Sequence, residues 1–194
     1  MQTTIELPPP VEMTMPFSQV LGRRRSRREF SDQSLDLPLL STLLWACAGQ
    51  NGADGRRTAP SALDSREVEC FVFDQKGVWS YCAETNALKL LAEGDHRSAT
   101  TAGQDFVHSA PVTLIFAVNQ AKTERISGGR AGAICQSVDV GVMVQNALLA
   151  CSAMALPPYR APGLNRRPYF KPWDSPPTIL KWPSLSASRN KELR

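Results

Sequence analysis

The chain has 194 residues, 42% hydrophobic and 21% charged, as expected of one soluble globular domain with enough length to bury a core without disulfide or metal staples. Its formal net charge of +4 divides unevenly: residues 1–155 carry 14 Lys and Arg against 16 Asp and Glu, while residues 156–194 carry 8 against 2. The body is therefore slightly acidic, and the overall charge is no argument for a nucleic-acid partner.

Four prolines among the first 16 residues describe an extended arm. Phe17, Val20 and Leu21 recur at helical spacing and predict a short helix that halts near Gly22. An arginine cluster follows, Arg23 to Arg25 with Arg27 and Arg28, enclosing Ser26. Asp36 offers an N-cap and Pro38 sits in the first turn. Leu40, Leu43, Leu44 and Cys47 form one apolar face, and Gly49 stops the helix. Gln50 to Ser65 reads as a loop. Val68–Phe73 and Val78–Cys82 flank a turn at 74–77 and predict a hairpin. Leu88, Leu90 and Leu91 lead into an acidic, small-residue stretch expected to be helical from about Asp95 to His108. Pro111 opens Val112–Val118, an apolar run of the kind a central strand shows. Residues 127–132, Ser-Gly-Gly-Arg-Ala-Gly, read as a loop. Ala133 to Ala155 reads as a long helix with few charges, of the sort buried in a core or a subunit interface. The order of elements is that of an α+β fold.

Several chemistries are disfavoured. The most apolar stretch, Val138–Leu156, is interrupted by Asp139, Gln145 and Asn146, which argues against a membrane span. The N-terminus has no basic flank before an apolar run, so no signal peptide is expected. Cys47, Cys70, Cys82, Cys135 and Cys151 are odd in number and contain no CxxC pair. They suggest small buried residues in a reducing, cytoplasmic compartment. His96 and His108 lack ligand-like spacing, so no metal site is expected. A Ser61–His108–Asp105 triad can be assembled from the sequence but carries little information among so many serines. The glycines at 128, 129 and 132 match neither the Walker nor the dinucleotide pattern.

Two segments offer positive chemistry. In an extended chain Arg24, Ser26 and Arg28 share a face, placing two guanidinium forks around a hydroxyl, which suits a phosphate monoester. The same residues also read as a solvated basic run, or as a nucleic-acid or import patch. Pro60 and Ser61, in the loop from Arg57 to Ala62, could present backbone and hydroxyl groups to a ligand, or be plain surface.

Taken together, Arg24-Arg25-Ser26-x-Arg28-x-Phe30 and Thr58-Ala-Pro-Ser-Ala62 resemble the two flavin-binding motifs of the nitroreductase family. Leu43-Leu44-Trp45-Ala46, Val78-Trp-Ser-Tyr81, Ala110-Pro111 and the run from Asp139 to Leu148 extend the resemblance over about residues 5–154. The Leu7-Pro8-Pro9-Pro10 arm is similar to the branch that includes dehydrogenases of thiazoline and oxazoline peptides. The resemblance implies a central, mostly antiparallel sheet flanked by helices, with a long buried helix at a dimer interface. It implies an FMN-dependent homodimer in which Arg24, Ser26 and Arg28 hold the phosphate and ribityl chain, with Arg25 lending a contact. Pro60, Ser61 and Ala62 would approach the flavin ring from the other subunit. Asp64 stands where many members have Asn. Hydride would pass from NAD(P)H through the flavin to an oxidised acceptor such as a nitroaromatic, quinone, enone or azoline peptide. No acid–base side chain and no metal are assigned, and neither membrane nor nucleic acid is an expected partner. The expected organisation is an arm over 1–16, a flavin-binding domain over 17–155 and an irregular tail over 156–194. In the tail, Pro157-Pro158-Tyr159-Arg160 replaces the family's usual continuation. An out-of-frame product of a GC-rich gene, or an arm wrapping a partner subunit, would each account for it. The tail also motivates a second reading, a dimeric relative that has lost flavin and serves as a binding protein.

Overall fold

The computed structural model describes residues 3–26, 28–30, 34–101, 104–123 and 130–154. The expected tail over 156–194, Arg27 and residues 127–129 of the glycine-rich segment lie outside the described residues.

Five antiparallel strands form one sheet in the order β1-β4-β3-β2-β5: β1 Thr4–Glu6, β2 Val68–Phe73, β3 Gly77–Cys82, β4 Ala87–Glu93 and β5 Thr113–Val118. The helices are α1 Phe17–Arg23, α2 Leu37–Ala48, the single turn α3 Gln120–Thr123 and the long α4 Arg130–Ala153. The class is α+β, as the sequence implies.

Local chemistry explains α2. The Asp36 carboxylate accepts the Leu39 N–H at 2.9 Å, and Pro38 lies where no intrahelical donor is needed. Gly49 closes the helix, because a Cβ there would lie 2.6 Å from the Trp45 Cα. The buried face of α2, with Leu40, Leu44 and Cys47, packs on Cys70 and Val72 of β2, Trp79 of β3, Leu88 of β4 and Met143 of α4.

Four elements differ from the sequence expectation. The arm is extended, but its start joins the sheet as β1, with Thr4 opposite Lys89 and Glu6 opposite Ala87. Val112–Val118 does not become a central strand: β5 pairs with β2 at the sheet edge, and only its last two residues are buried. The expected helix over 95–108 is instead two 3-10 turns, Arg97–Thr100 and Asp105–Ser109. The Asp95 carboxylate accepts both the Arg97 N–H and its guanidinium, at 2.7–3.1 Å. Side-chain bonds of this kind compete with helical ones, and they hold Asp95 down at about 2, chiefly through the Arg97 hydrogen bond. Arg130–Gly132, expected in a loop, already belong to α4.

Asn86, in the β3–β4 turn, joins the arm to the sheet. Its φ is +47°, a left-handed conformation that Asn tolerates. Its amide donates to Leu7 O, Pro8 O and Ser41 Oγ at 3.1–3.3 Å and accepts from the Tyr81 hydroxyl at 3.0 Å. Asn86→Ala is expected to cost about 2–4 kcal/mol, from orphaned polar groups and a strained φ. Asn86→Gly should recover roughly 1 kcal/mol of that in urea melts, because glycine removes the strain alone.

Candidate functional site

The basic segment leaves α1 beside the C-terminal end of α4, where the Ser152 hydroxyl donates to Val20 O at 2.9 Å. Arg24 caps α1 through its backbone N–H to Val20 O at 3.0 Å and continues in extended conformation. Arg24 is half-buried; Ser26 and Arg28 are exposed. Among the described residues neither Arg24 nor Arg28 has a carboxylate partner within salt-bridge distance. Arg28 lies over the Phe106 ring, 5.8 Å from its centroid, and Phe30 stacks on the same ring. Arg25 turns back instead: its guanidinium donates to Gly22 O at 3.2 Å and Arg24 O at 2.8 Å, answering the open carbonyls of α1. Two guanidiniums without carboxylate partners beside a free hydroxyl fit a dianionic phosphate.

The second segment, residues 49–66, is held far more tightly. Thr58 donates from N to Gly49 O and from Oγ1 to Trp45 O, at 3.0 and 2.6 Å. The Trp45 indole donates to Gln50 O at 2.7 Å, and Arg57 donates to Ala48 O at 3.1 Å and pairs with Glu84. Two polar residues of α4 complete the fastening. Asn146 donates to Ala46 O and Thr58 O at 3.1 and 3.3 Å, and Asp139 accepts the Ala62 N–H at 2.8 Å. Seven residues apart, Asp139 and Asn146 share one helix face.

Pro60 is thus presented to solvent on a fixed backbone, with Ser61 and Ala62 half-buried beside it. The Ser61 hydroxyl accepts the Arg66 N–H at 3.0 Å. The segment roofs a cavity of about 290 Å³ whose walls include Pro60, Ser61, Tyr81, Asp139 and Met143. Three non-glycine residues just beyond it, Leu63, Asp64 and Arg66, have φ of 51–54°. Such backbone persists only where its surroundings over-determine it. Asp64 forms a two-pronged pair with Arg66 at 2.7–2.8 Å, which holds its carboxyl below the ordinary value.

Ser61 and His108 form no triad: the Ser61 hydroxyl is engaged with Arg66, and His108 is exposed in the turn at 105–109. All five cysteines are free. Hydrogen bonding to Cys47, reinforced by burial, keeps the Cys70 thiol well above its ordinary value, so it is a poor nucleophile.

Sequence reasoning assigned no role to Asp139, Asn146 or Glu67. Polar residues two turns apart on an otherwise apolar helix were the available signal for the first two. Glu67 is only 1% exposed and Asp139 6%. Burial, with Glu67 nearby, raises Asp139 above the ordinary carboxylate range despite the Ala62 bond.

The face of α4 turned away from the sheet is apolar and uncovered, with Ile134, Val138, Val144 and Leu148 exposed and Gly141 among them. By length and composition, Gly132–Ala153 is also long and apolar enough to cross a bilayer. Two of its polar residues, Asp139 and Asn146, are however engaged by α2 and the 49–66 segment of the same chain.

An antiparallel sheet packed against a long apolar helix, with the 49–66 segment and the basic segment fastened along that helix, makes an α+β domain of nitroreductase type. The nitroreductase family model matches residues 21–156. A candidate nitroreductase of Methanocaldococcus jannaschii is 31% identical, over 80% of this chain and 83% of its own length. The crystal structure of a candidate nitroreductase from Ralstonia eutropha JMP134 matches with a TM-score of 0.73 at 35% identity, covering 78% of this chain and 72% of that one. A candidate nitroreductase from Desulfovibrio desulfuricans, solved in complex with FMN, shares the fold at a TM-score of 0.50 and 20% identity, over 72% of this chain and 64% of that one. The chain belongs to the nitroreductase family, a family of oxidoreductases.

Proposed function

We propose that the protein is a cytoplasmic, FMN-dependent oxidoreductase that works as a homodimer with one flavin site at each end of the subunit contact. The observation that carries this reading is the placement of two half-sites on α4. The 60–62 segment is tied to Asp139, and the basic segment leaves α1 beside Ser152. Thirteen residues of helix separate these two anchors by about 20 Å, although Thr58, at the start of the same loop, lines a cavity with Phe17 and Val20 of α1. Antiparallel pairing of α4 with a second copy, centred near Val144 and Gln145, brings the anchor at 139 to within two residues of the level of the second copy's anchor at 152. Each basic segment then faces a 60–62 segment from the other copy.

Each residue's part follows from its chemistry. Arg24 and Arg28 clamp the phosphate through charge-assisted hydrogen bonds, and Ser26 adds a hydroxyl donor. Arg25 keeps α1 closed so that its neighbours point outward. Pro60, Ser61 and Ala62 form a rigid wall against the ring, and pairing of the subunits excludes water from it. Bound FMN supplies the redox chemistry, taking hydride from NAD(P)H and giving it to an oxidised acceptor such as a nitroaromatic or a quinone.

The energetics support a contact wider than α4. Burying the exposed remainder of Ile134, Val138, Val144 and Leu148 on both copies contributes about 6–12 kcal/mol, no more than the roughly 4–15 kcal/mol cost of association. Phe17 and Leu21, 65% and 48% exposed on α1, lie at the same end and extend the apolar area.

The test is an absorbance titration of the purified chain with FMN, followed by NADH and NADPH oxidation with a nitroaromatic and a quinone. One flavin per subunit and acceptor-dependent turnover are expected, in a dimer that needs no detergent. A colourless protein that takes up no FMN would instead favour the flavin-free binding relative.

A further inference from the structure

Beyond Arg24 the basic segment has little to hold it. Among the described residues the backbone of residues 25–30 makes no hydrogen bond, and the Arg25 guanidinium turns back to Gly22 O and Arg24 O. The next fixed point is an aromatic ring. Arg28 lies over Phe106, 5.8 Å from its centroid, and Phe30 stacks on the same ring with centroids 6.4 Å apart and an interplanar angle of 25°. Alternate residues of an extended chain point to one side, which is how Arg28 and Phe30 both reach Phe106.

Phe106 itself is anchored. It sits in the 3-10 turn Asp105–Ser109, where the Val107 N–H donates to Gln104 O at 3.1 Å and the Ser109 hydroxyl donates to Phe106 O at 2.9 Å. The turn runs into buried Ala110, whose carbonyl accepts the Arg97 guanidinium at 2.6 Å. Arg97 is buried too, and the Asp95 carboxylate fixes its other nitrogens at 2.7–2.9 Å. The ring is thus tied to the chain entering β5. A guanidinium over an aromatic face keeps its in-plane N–H donors for other acceptors, because the ring engages only its flat side. A carboxylate partner would spend those donors.

We propose that Phe106 is a positioning residue whose ring holds the Arg28 guanidinium, donors outward, for the phosphate of the ligand. The role rests on the flavin reading for the source of that phosphate; the stack itself concerns this chain alone. Without the ring, Arg28 has to be immobilised as the ligand arrives. That ordering, together with the lost stack, corresponds to about 3–30-fold in affinity.

The experiment is a double-mutant cycle between Phe106 and Arg28 in the full-length protein, read by quenching of FMN fluorescence. Phe106→Leu keeps apolar bulk without an aromatic face and is expected to weaken FMN binding about 3–30-fold. Phe106→Tyr keeps the face and should stay within about twofold of the wild type. In the Arg28→Ala background, Phe, Tyr and Leu at position 106 should bind FMN alike. A purely structural Phe106 would lower affinity equally in both backgrounds, or would be replaced by leucine as well as by tyrosine. Either result would overturn the proposal. Inorganic phosphate, followed by NMR at the Arg28 Nε–H of the flavin-free protein, separates the two readings. No FMN binding, with phosphate held less tightly by Phe106→Leu than by the wild type, rejects the flavin and keeps the positioning role. FMN binding with additive effects of the two substitutions does the reverse. A wild type that binds neither FMN nor phosphate rejects both.

Discussion

Replacing Arg24 and Arg28 together by alanine is expected to weaken FMN binding by about 10²–10⁴-fold while leaving the fold intact. A hydrogen bond to a charged group contributes about 1.5–3 kcal/mol, and the double variant removes two guanidiniums that have no carboxylate partner among the described residues. Among the described residues, the guanidiniums make one contact within the chain, that of Arg28 with the Phe106 ring, worth about 0.5–1 kcal/mol at an exposed site. Thermal melts of the apo protein should therefore shift little. Arg25→Ala is the informative control: its side chain closes α1, so it should lower stability slightly more than either neighbour and FMN affinity less. Equal affinity in the double variant and the wild type would remove the basic segment from the site. Flavin fluorescence quenching at two ionic strengths measures all three proteins.

Gly141→Leu is expected to turn a dimer into a monomer without harming the subunit. Within the chain, a Cβ at Gly141 meets nothing within 4 Å, so the new side chain is free of clashes. Replacing glycine in a helix interior contributes up to about 1 kcal/mol of helix stability. In the antiparallel pairing centred near Val144 and Gln145, position 141 lies against Leu148 of the second copy, where glycine leaves the space that leucine fills. Overpacking such a contact costs about 1–3 kcal/mol at each of its two symmetric occurrences, or roughly 10²–10⁴-fold in the dimer dissociation constant. Light scattering after size exclusion reads the mass. A monomer of undiminished thermal stability that no longer retains FMN is the expected result. A dimer of unchanged affinity would place the subunit contact elsewhere.

The elements legible in the sequence are those whose signals are local. Asp36, Pro38 and Gly49 mark α2 within a few residues of its ends, the turn at 74–77 marks the β2–β3 hairpin, and the scarcity of charge marks α4. Where the outcome depends on distant partners, the sequence is silent. β1 is a strand only because β4 runs beside it, 83 residues from Ile5 to its opposite number Leu88. The apolar run of β5 suggests burial on both faces, yet among the described residues it has a neighbour strand on one side. The helix expected over 95–108 is lost to a carboxylate two residues from the arginine it binds, a contact invisible to hydrophobic periodicity.

The candidate site divides in the same way. Arg24, Ser26 and Arg28 and the segment from Thr58 to Ala62 are readable as motifs. That their anchors, Asp139 and Ser152, stand about 20 Å apart along α4 is readable only from the fold. Glu67 is a charged residue in a strand-like stretch until α4 is seen to place Asp139 near it.

The fastening of residues 49–66 also fixes where this protein tolerates added sequence. Thr58 and Ala62 are tied to α2 and α4, so one residue inserted between them would pull Pro60 and Ser61 out of register. The tip from Asn51 to Asp54 is exposed throughout, and its recorded bonds stay within residues 50–57. A peptide tag or fluorophore-binding insert at Gly52–Asp54 should leave the 58–62 backbone undisturbed and give a handle for immobilising the protein, provided Asn51, which lines a cavity with Asn146, Leu149 and Ala150 of α4, is kept in place.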